Sequence, residues 1–190
     1  MEKIIVVASG NKGKLKEIQE MLTGFKVVGY KEFGLDFEIE EDGKTFFENA
    51  LIKAKAVSKA LNMPALADDS GIVVDVLNGQ PGIYSARYAG DGIDEHNNQL
   101  LLKNMQGQTN RKAKFVCSMV YYTPDGNVIT TMGETEGEIL LEPQGTNGFG
   151  YDCIFYSYDL QKSLGIASDQ EKNSISHRAR ALKSLMEKLK

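Results

Sequence analysis

The segment KIIVVAS, residues 3–9, restricts the fold more than any other feature because it is an almost continuous apolar run of strand length. Such a run is typical of a strand that is buried on both faces. Leu15, Ile18 and Leu22 follow at helical spacing, and FKVVGY, residues 25–30, resembles a second strand. This beginning predicts an α/β or mixed α+β domain in which helices cover a sheet.

Further strands are predicted in the middle of the chain. ALADD, residues 65–69, and GIVVDVL, residues 71–77, are interpreted as two strands around a turn. KFVCSMVYYT, residues 114–123, and NVITTMGETEGEIL, residues 127–140, flank a PDG segment, which is a strong hairpin signal. The sheet is therefore expected to contain a long central hairpin.

Three more helices are predicted from apolar stripes and capping residues. One begins at Thr45, where TFFE fits a capping box with Glu48 reaching back to the helix start. Another has Asp94 as its cap, and the last runs from about Ser174. The apolar stripe of the first of these helices is Phe47, Leu51, Ala54, Val57 and Leu61. The stripe of the second is Leu100, Leu101 and Met105, and that of the last is Ile175, Ala179, Leu182, Met186 and Leu189.

The composition narrows the class of protein. With 22 Lys and Arg against 26 Asp and Glu, the net charge of -4 argues against a protein that coats nucleic acid or an anionic membrane. No stretch is long and apolar enough to span a bilayer, and the N-terminus lacks the cleavage pattern of a signal peptide. Cys117 and Cys153 make no disulfide framework. A cytoplasmic protein of one domain, residues 1–190, is expected.

The segment ASGNKGKLKEI, residues 8–18, resembles an anion-binding turn between a strand and a helix. It is not a P-loop, because only two residues separate Gly10 from Gly13 and Leu15 follows Lys14. Glycines nevertheless let backbone amides approach an anion, and the following helix offers its positive end. The alternative is a capped turn with solvated lysines.

Two acidic segments predict a metal site. EIEEDG contains Glu40 and Glu41, and DDSG places Asp68 and Asp69 at the predicted end of a strand. Carboxylates in such places suit Mg²⁺, and one of them can deprotonate a water molecule. The alternatives are a solvated charge run and a tight turn capped by aspartate.

Two further segments suit a flat heterocycle and an anionic partner. GTNGFGYD, residues 145–152, combines three glycines with two aromatic residues and a carboxylate. EKNSISHRARAL, residues 171–182, puts His177 and Arg178 at the beginning of the last helix, near Lys172. Cations at a helix N-terminus oppose the helix dipole, which favours an anionic or polar partner. A strand-joining turn and a partner carboxylate are the respective alternatives.

Four motifs together resemble the inosine triphosphate pyrophosphatase family, whose bacterial members act on non-canonical purine nucleoside triphosphates. They are SGNKGK, DDSGIVVDVLNGQPGIYSARYAG, GTNGFGYD and EKNSISHRARAL, and the likeness runs in order from Ile4 to about Leu185. The resemblance implies an elongated, curved mixed β-sheet flanked by helices, with two lobes around a central active-site cleft. It also implies a homodimer and Mg²⁺-dependent hydrolysis of ITP, dITP or XTP to the monophosphate and pyrophosphate.

The resemblance also implies roles for individual residues. Asp69 matches the catalytic proton acceptor and metal ligand, and the second metal ligand is Glu41 or its neighbour Glu40. The residues that match substrate contacts are Ser9, Gly10, Asn11, Lys12, Gly13, Lys14, Lys53, Ser70, Phe149, Gly150, Tyr151, Asp152, Lys172, His177 and Arg178. A pyrophosphatase for other modified nucleotides and a nucleotide-sensing module without turnover are the competing interpretations.

Overall fold

The computed structural model describes residues 3–190, in which seven strands form one sheet with helices packed around it. The sheet order is β2-β1-β3-β4-β5-β6-β7. Strand β1 runs parallel to β2 and β3, whereas β6 runs antiparallel to β5 and β7. The predicted mixed sheet is therefore confirmed. The strands are β1 Lys3–Val7, β2 Phe25–Gly29, β3 Ala65–Val74, β4 Lys112–Tyr122, β5 Val128–Ile139, β6 Phe155–Ser157 and β7 Lys162–Ser163.

The helices within this range are α1 Lys12–Met21, α2 Phe46–Leu61, α3 Asp94–Asn104, α4 Asp169–Ile175 and α5 His177–Lys188. The prediction of one last helix from about Ser174 was wrong, because α4 and α5 are separated by Ser176, whose backbone is extended. Across residues 3–190, none of the helices has the length and apolarity that a membrane crossing requires.

The DDSG segment lies inside a strand and not in a turn. Strand β3 runs without interruption from Ala65 to Val74, so the predicted pair of strands around Ser70 and Gly71 is corrected to one long strand. Two aspartates in a central strand are unusual because a buried charge is costly unless it is paired. Both aspartates have partners here, because Asp68 pairs with Arg178 and Asp69 accepts from Asn49, and this pairing allows them to lie in a strand.

Two predicted helix starts differ in detail. Thr45 caps α2 by accepting from the Glu48 N–H, but the Glu48 carboxylate accepts from Lys44 N–H, so the reciprocal half of the capping box is not formed. Phe47, predicted on the apolar face of α2, is 38% exposed. Asp94 is the first residue of α3 and not its cap, because its carboxylate accepts from the Gly150 N–H.

The chain divides into two compact units. The first comprises residues 3–69, Cys117–Gly133 and Arg178–Lys190, and the second comprises Ser70–Val116 and Glu134–His177. The first unit has one apolar cluster that includes Ile18, Leu66 and Leu182 and another that includes Ala50, Ala54 and Ala67. The core of the second unit contains Ile72, Leu101, Met105, Ile154 and Phe155. Each unit therefore has a core on which functional side chains can be positioned.

Candidate active site

The consecutive residues Asp68 and Asp69 face opposite sides of β3, because side chains alternate along a strand. Leu66 belongs to the apolar cluster formed with α1 and α5, and Ala67 belongs to the cluster formed with α2. By the same alternation, Asp68 points toward α1 and α5, and Asp69 points toward α2. The strand period thus decides which charges each carboxylate meets.

Asp68 is held as a permanent anion in a buried network. Its Oδ2 accepts from Arg178 Nε at 3.2 Å and Nη2 at 3.1 Å, and Lys14 Nζ lies 3.2 Å away. Arg178 also donates to Glu17. Burial by itself would raise the pKa of Asp68, but Lys14, Arg178 and Lys53 outweigh it and hold that pKa far below its usual range. Asp68 is therefore an anchor for cations and not a proton acceptor.

Asp69 has a different environment, although it is only 8% exposed. Its Oδ2 accepts from Asn49 Nδ2 at 3.1 Å, and its Oδ1 lies 3.8 Å from Lys53 Nζ. Burial raises the pKa of Asp69, and Lys53 and Lys14 only partly oppose this effect. A carboxylate with a raised pKa binds a proton more strongly than an ordinary aspartate does, which is the property that a general base needs.

Lys53 connects Asp69 to the acidic segment before α2. Its Nζ lies 2.6 Å from Glu41 Oε1. Burial disfavours the lysine cation, but Asp68, Asp69 and Glu41 together raise the pKa of Lys53 and keep it charged. Asn49 fixes the same segment from the helix, because its Oδ1 accepts from the Gly43 N–H at 2.9 Å.

Glu41 and Asp69 fit a divalent cation. Both carboxylates already face one cationic group, the ammonium of Lys53, and carboxylate oxygens are the donors that Mg²⁺ prefers. Within residues 3–190, no set of three or more His, Cys, Asp or Glu residues is arranged to hold a metal. A cation here would complete its coordination with water or phosphate oxygens, as Mg²⁺ commonly does. Glu40, the other predicted ligand, is exposed.

The predicted anion-binding turn forms a capped helix start. Asn11 caps α1 by accepting from the Lys14 N–H at 3.1 Å, and Ser9 Oγ accepts from the Asn11 N–H at 3.1 Å. The first turn of a helix leaves N–H groups without intrahelical acceptors, here those of Lys12 and Gly13. The Lys12 side chain is exposed, whereas Lys14 is paired with Asp68.

In the second unit, the GTNGFGYD segment is a loop organised by Asp152. The Asp152 carboxylate is buried, accepts from the Phe149 N–H at 3.0 Å and forms an ion pair with Lys172 Nζ at 2.6 Å. The same ammonium lies 4.6 Å from the centroid of the Phe149 ring. Gly148 is required here, because a Cβ at its left-handed φ of +73° would lie 2.1 Å from Asp152 Oδ2.

The remaining predicted contacts of this unit differ in exposure. The His177 ring is buried and stacks on Phe115, with centroids 4.9 Å apart and planes 14° from parallel. Tyr151 is also buried, and its hydroxyl donates to the Ser85 carbonyl at 2.5 Å. Ser70 on β3 is half-buried. Phe149 and Gly150 are half-buried as well, so the loop offers an aromatic face.

Arg178, the last of the predicted substrate contacts, lies in a buried ion-pair network in this structure. It belongs to the first unit, is 1% exposed, and its guanidinium donates to Asp68 and Glu17. The alternative considered from sequence, a partner carboxylate, therefore describes its surroundings in this structure. A buried arginine between two carboxylates stabilises the position of Asp68.

Three residues of these clusters were missed in the sequence. Asn49 lies four residues before Lys53 on α2, so one helix face presents both to Asp69. That i, i+4 spacing was a usable signal. Glu17 and Phe115 carried no local signal, because their partners Arg178 and His177 are far away in sequence.

Comparison with known proteins gives consistent results. The model of the Ham1 family matches residues 5–188. A dITP/XTP pyrophosphatase of Staphylococcus aureus is 45% identical over 184 residues, covering 96% of this chain and 94% of the relative. One from Clostridium tetani is 44% identical over 194 residues, covering 99% and 96%. The solved structure of the Staphylococcus aureus Ham1 protein superimposes with a TM-score of 0.88 at 45% identity, covering 98% of each chain.

Proposed function

This chain belongs to the Ham1 family, and on that premise we propose that it hydrolyses non-canonical purine nucleoside triphosphates such as dITP and XTP to the monophosphate and pyrophosphate. It is a nucleoside triphosphate pyrophosphatase, a hydrolase of phosphoric anhydrides. The structural observation that carries the proposal is Asp69, a buried carboxylate with a raised pKa beside the paired residues Lys53 and Glu41. Removal of such triphosphates keeps deaminated bases out of the nucleotide pool.

Asp69 is the proposed general base. It accepts a proton from the water molecule that attacks the α-phosphorus, and its raised pKa makes that transfer more favourable than for a solvated aspartate. Asn49 orients the carboxylate by donating to Oδ2, which leaves Oδ1 for water or a cation. Asp68 cannot take this role, because its ion pairs with Arg178 and Lys14 hold its pKa so low that it does not accept a proton.

Glu41 and Asp69 are the proposed ligands of Mg²⁺. When bound, the cation neutralises triphosphate charge and polarises the α-phosphorus. The protein contributes Lys53, which holds Glu41 at 2.6 Å and keeps the two carboxylates from repelling each other. Glu41 is preferred to Glu40 because Glu41 is in contact with Lys53, whereas Glu40 is exposed.

The turn of residues 9–14 and Lys53 are the proposed triphosphate contacts. The first-turn amides of Lys12 and Gly13 and the positive end of α1 favour an anion. The exposed Lys12 side chain is available to the pyrophosphate leaving group, where positive charge stabilises the transition state. Lys14 supplies charge from its contact with Asp68.

The loop of residues 145–152 is the proposed base-binding element. Ser70, Lys172, His177 and Arg178 are proposed as further nucleotide contacts. The Phe149 face can stack on any purine, so stacking does not select the base. The Asp152–Lys172 pair and the loop amides can instead distinguish a 6-keto from a 6-amino purine. A site built on buried hydrogen bonds rejects a mismatched analogue by roughly 10⁴-fold.

The test is product analysis with dITP, XTP, dATP, dGTP and dUTP, each with Mg²⁺ or with chelator. Monophosphate and pyrophosphate from dITP and XTP, formed only with the metal, are expected. Diphosphate and orthophosphate would place the attack at the γ-phosphorus and overturn the mechanism. Preferred turnover of dUTP would reassign the substrate, and tight nucleotide binding without turnover would indicate a sensing module. The molecular mass of the same protein in solution, measured by size-exclusion chromatography with light scattering, tests whether it is the homodimer that the family resemblance implies.

A further inference from the structure

The base-binding loop is attached to helix α3 through a single glycine. The Gly150 N–H donates to Asp94 Oδ2 at 2.8 Å, and the Gly150 carbonyl accepts from Asn98 Nδ2 at 3.0 Å. Both polar groups of one residue are therefore bound by two side chains of one helix. Asn98 is buried, and its Nδ2 also lies 3.4 Å from Cys153 Sγ.

Helix α3 is a firm support for these two bonds. Asp94 and Asn98 are four residues apart, so they project from one face of the helix. The other end of the helix is fixed in the core of the second unit by Leu101 and Met105, which are fully buried. Asn97 adds two hydrogen bonds, from the Ala89 N–H at 2.7 Å and to the Ala86 carbonyl at 3.1 Å.

The side of the loop that faces α3 borders a cavity, so the two hydrogen bonds to Gly150 are not backed by close packing there. The loop and α3 together line a cavity of about 410 Å³, to which Asn98, Phe149 and Gly150 contribute. The space between the loop and this face of α3 is therefore partly open, and the atoms that line it lack packing partners on that side. The φ of Gly150 is +60°, a left-handed conformation that glycine adopts without strain and that other residues rarely adopt.

The position of Phe149 depends on this attachment. Its peptide bond to Gly150 contains the N–H that Asp94 binds, while the Phe149 N–H is held by Asp152. The beginning of the loop is fixed separately, because the Asn147 N–H donates to the Gly165 carbonyl at 2.8 Å. Loss of the α3 bonds thus loosens Gly150 and the peptide that joins it to Phe149, while the contacts of Phe149 to Asp152 and Lys172 and the beginning of the loop stay in place.

We propose that Asp94 and Asn98 are positioning residues that hold Gly150 and thereby fix the base-binding loop for purine recognition. This inference rests on the proposed function for its kinetic consequence. It does not involve the carboxylates of the first unit, so it predicts weaker substrate binding and poorer base selection with the chemical step preserved.

Asp94→Ala and Asn98→Leu test the inference, with Asp94→Asn and Glu95→Ala as matched controls. Asn98→Leu removes the donor and keeps the side-chain volume, and Asp94→Asn keeps an acceptor for the Gly150 N–H. Glu95→Ala also removes a first-turn acid of α3, but Glu95 bonds to Gln99 and not to the loop.

The KM for dITP should rise about tenfold in Asp94→Ala, which loses a hydrogen bond to a charged group, and by a smaller factor in Asn98→Leu, which loses a neutral one. In both variants kcat should stay within about twofold of the wild type. The ratio of kcat/KM for dITP to that for dATP should fall, and inhibition by pyrophosphate should be unchanged. Asp94→Asn should recover most of the KM, and Glu95→Ala should match the wild type.

The rate of amide hydrogen exchange in the peptide that covers residues 145–152 tests the same inference without any substrate. Exchange should accelerate in Asp94→Ala and Asn98→Leu but not in Glu95→Ala. Unchanged exchange in both test variants, or equal acceleration in Glu95→Ala, would overturn the inference. If the wild type does not hydrolyse dITP, the proposed function fails, and the exchange result alone decides whether α3 holds the loop.

Discussion

Asp68 and Asp69 are adjacent on β3, yet their pKa values move in opposite directions. Arg178 and Lys14 contact Asp68 and hold its pKa far below the usual range, whereas burial raises the pKa of Asp69. The strand alternation that separates the two side chains therefore also separates an anchoring role from a catalytic one. Pairs of titratable groups with divergent pKa values are a feature of acid-base sites.

Asp69→Asn should abolish turnover while the protein stays folded. Loss of a general base costs typically 10² to 10⁴-fold in rate, and loss of a metal ligand adds to that. The measurement is pyrophosphate release from dITP, with nucleotide binding followed by calorimetry. Turnover within tenfold of the wild type would show that Asp69 is not the base.

The same variant should have a distinctive pH dependence of stability without metal. Because the pKa of Asp69 is raised in the folded state, its ionisation opposes folding above that pKa. Asp69→Asn should therefore be at least as stable as the wild type at pH 7. The difference should shrink as the pH falls toward the unfolded value of about 3.9 and disappear below it, where the Asp69 carboxyl is protonated in both the folded and the unfolded state.

Thermal unfolding of the two metal-free proteins between pH 4 and 7 measures this difference. A variant that is less stable than the wild type at pH 7, and equally so at pH 4, would mean that the Asp69 contacts stabilise the fold. The contact to Asn49 would then outweigh the cost of burial.

Asp68→Asn should destabilise the protein strongly. The substitution removes the buried counter-charge of Lys14 and one of the two carboxylates that pair with Arg178, and breaking a buried ion pair in this way costs about 3–5 kcal/mol. Since the folded pKa of Asp68 is depressed, its contribution is complete above pH about 3.9 and is lost only as the pH falls through the folded pKa. Urea unfolding at pH 7 gives the free energy of unfolding.

Asp91→Asn is the matched control for that experiment. Asp91 is exposed and pairs with the exposed His96, so its loss should change the free energy of unfolding far less than the loss of Asp68 does. Similar effects for both variants would contradict the role of Asp68 as a buried anchor.

Glu41→Gln should raise the Mg²⁺ concentration needed for half-maximal activity, because it removes one of the two proposed carboxylate ligands. Glu40→Gln, next to it and exposed, is the matched control and should leave the Mg²⁺ dependence unchanged. Activity titrated with Mg²⁺ at saturating dITP separates the two residues. If the Mg²⁺ concentration for half-maximal activity changed in Glu40→Gln and not in Glu41→Gln, Glu40 and not Glu41 would be the metal ligand.

Much of the fold was predictable because its signals are local. The apolar run of residues 3–9 became β1, the PDG segment became the turn of the β4–β5 hairpin, and Thr45 caps α2. The DDSG segment shows where local signals fail. Ser70 and Gly71 are typical turn residues and predict a turn, but Asp68 lies inside a strand and its partner Arg178 is 110 residues away in the sequence.

The sequence alone determined the periodicity of the elements and the residue types of the motifs, since both depend on neighbours within a few residues. Tertiary structure decided what the charged residues do. Arg178 is buried between Asp68 and Glu17 only in the folded chain. Folding likewise brings Asn49 and Lys53 to Asp69. It also brings Asp94 and Asn98 to Gly150. The reason is physical: a pKa and a hydrogen bond depend on distance in space, which the chain sets only when it folds.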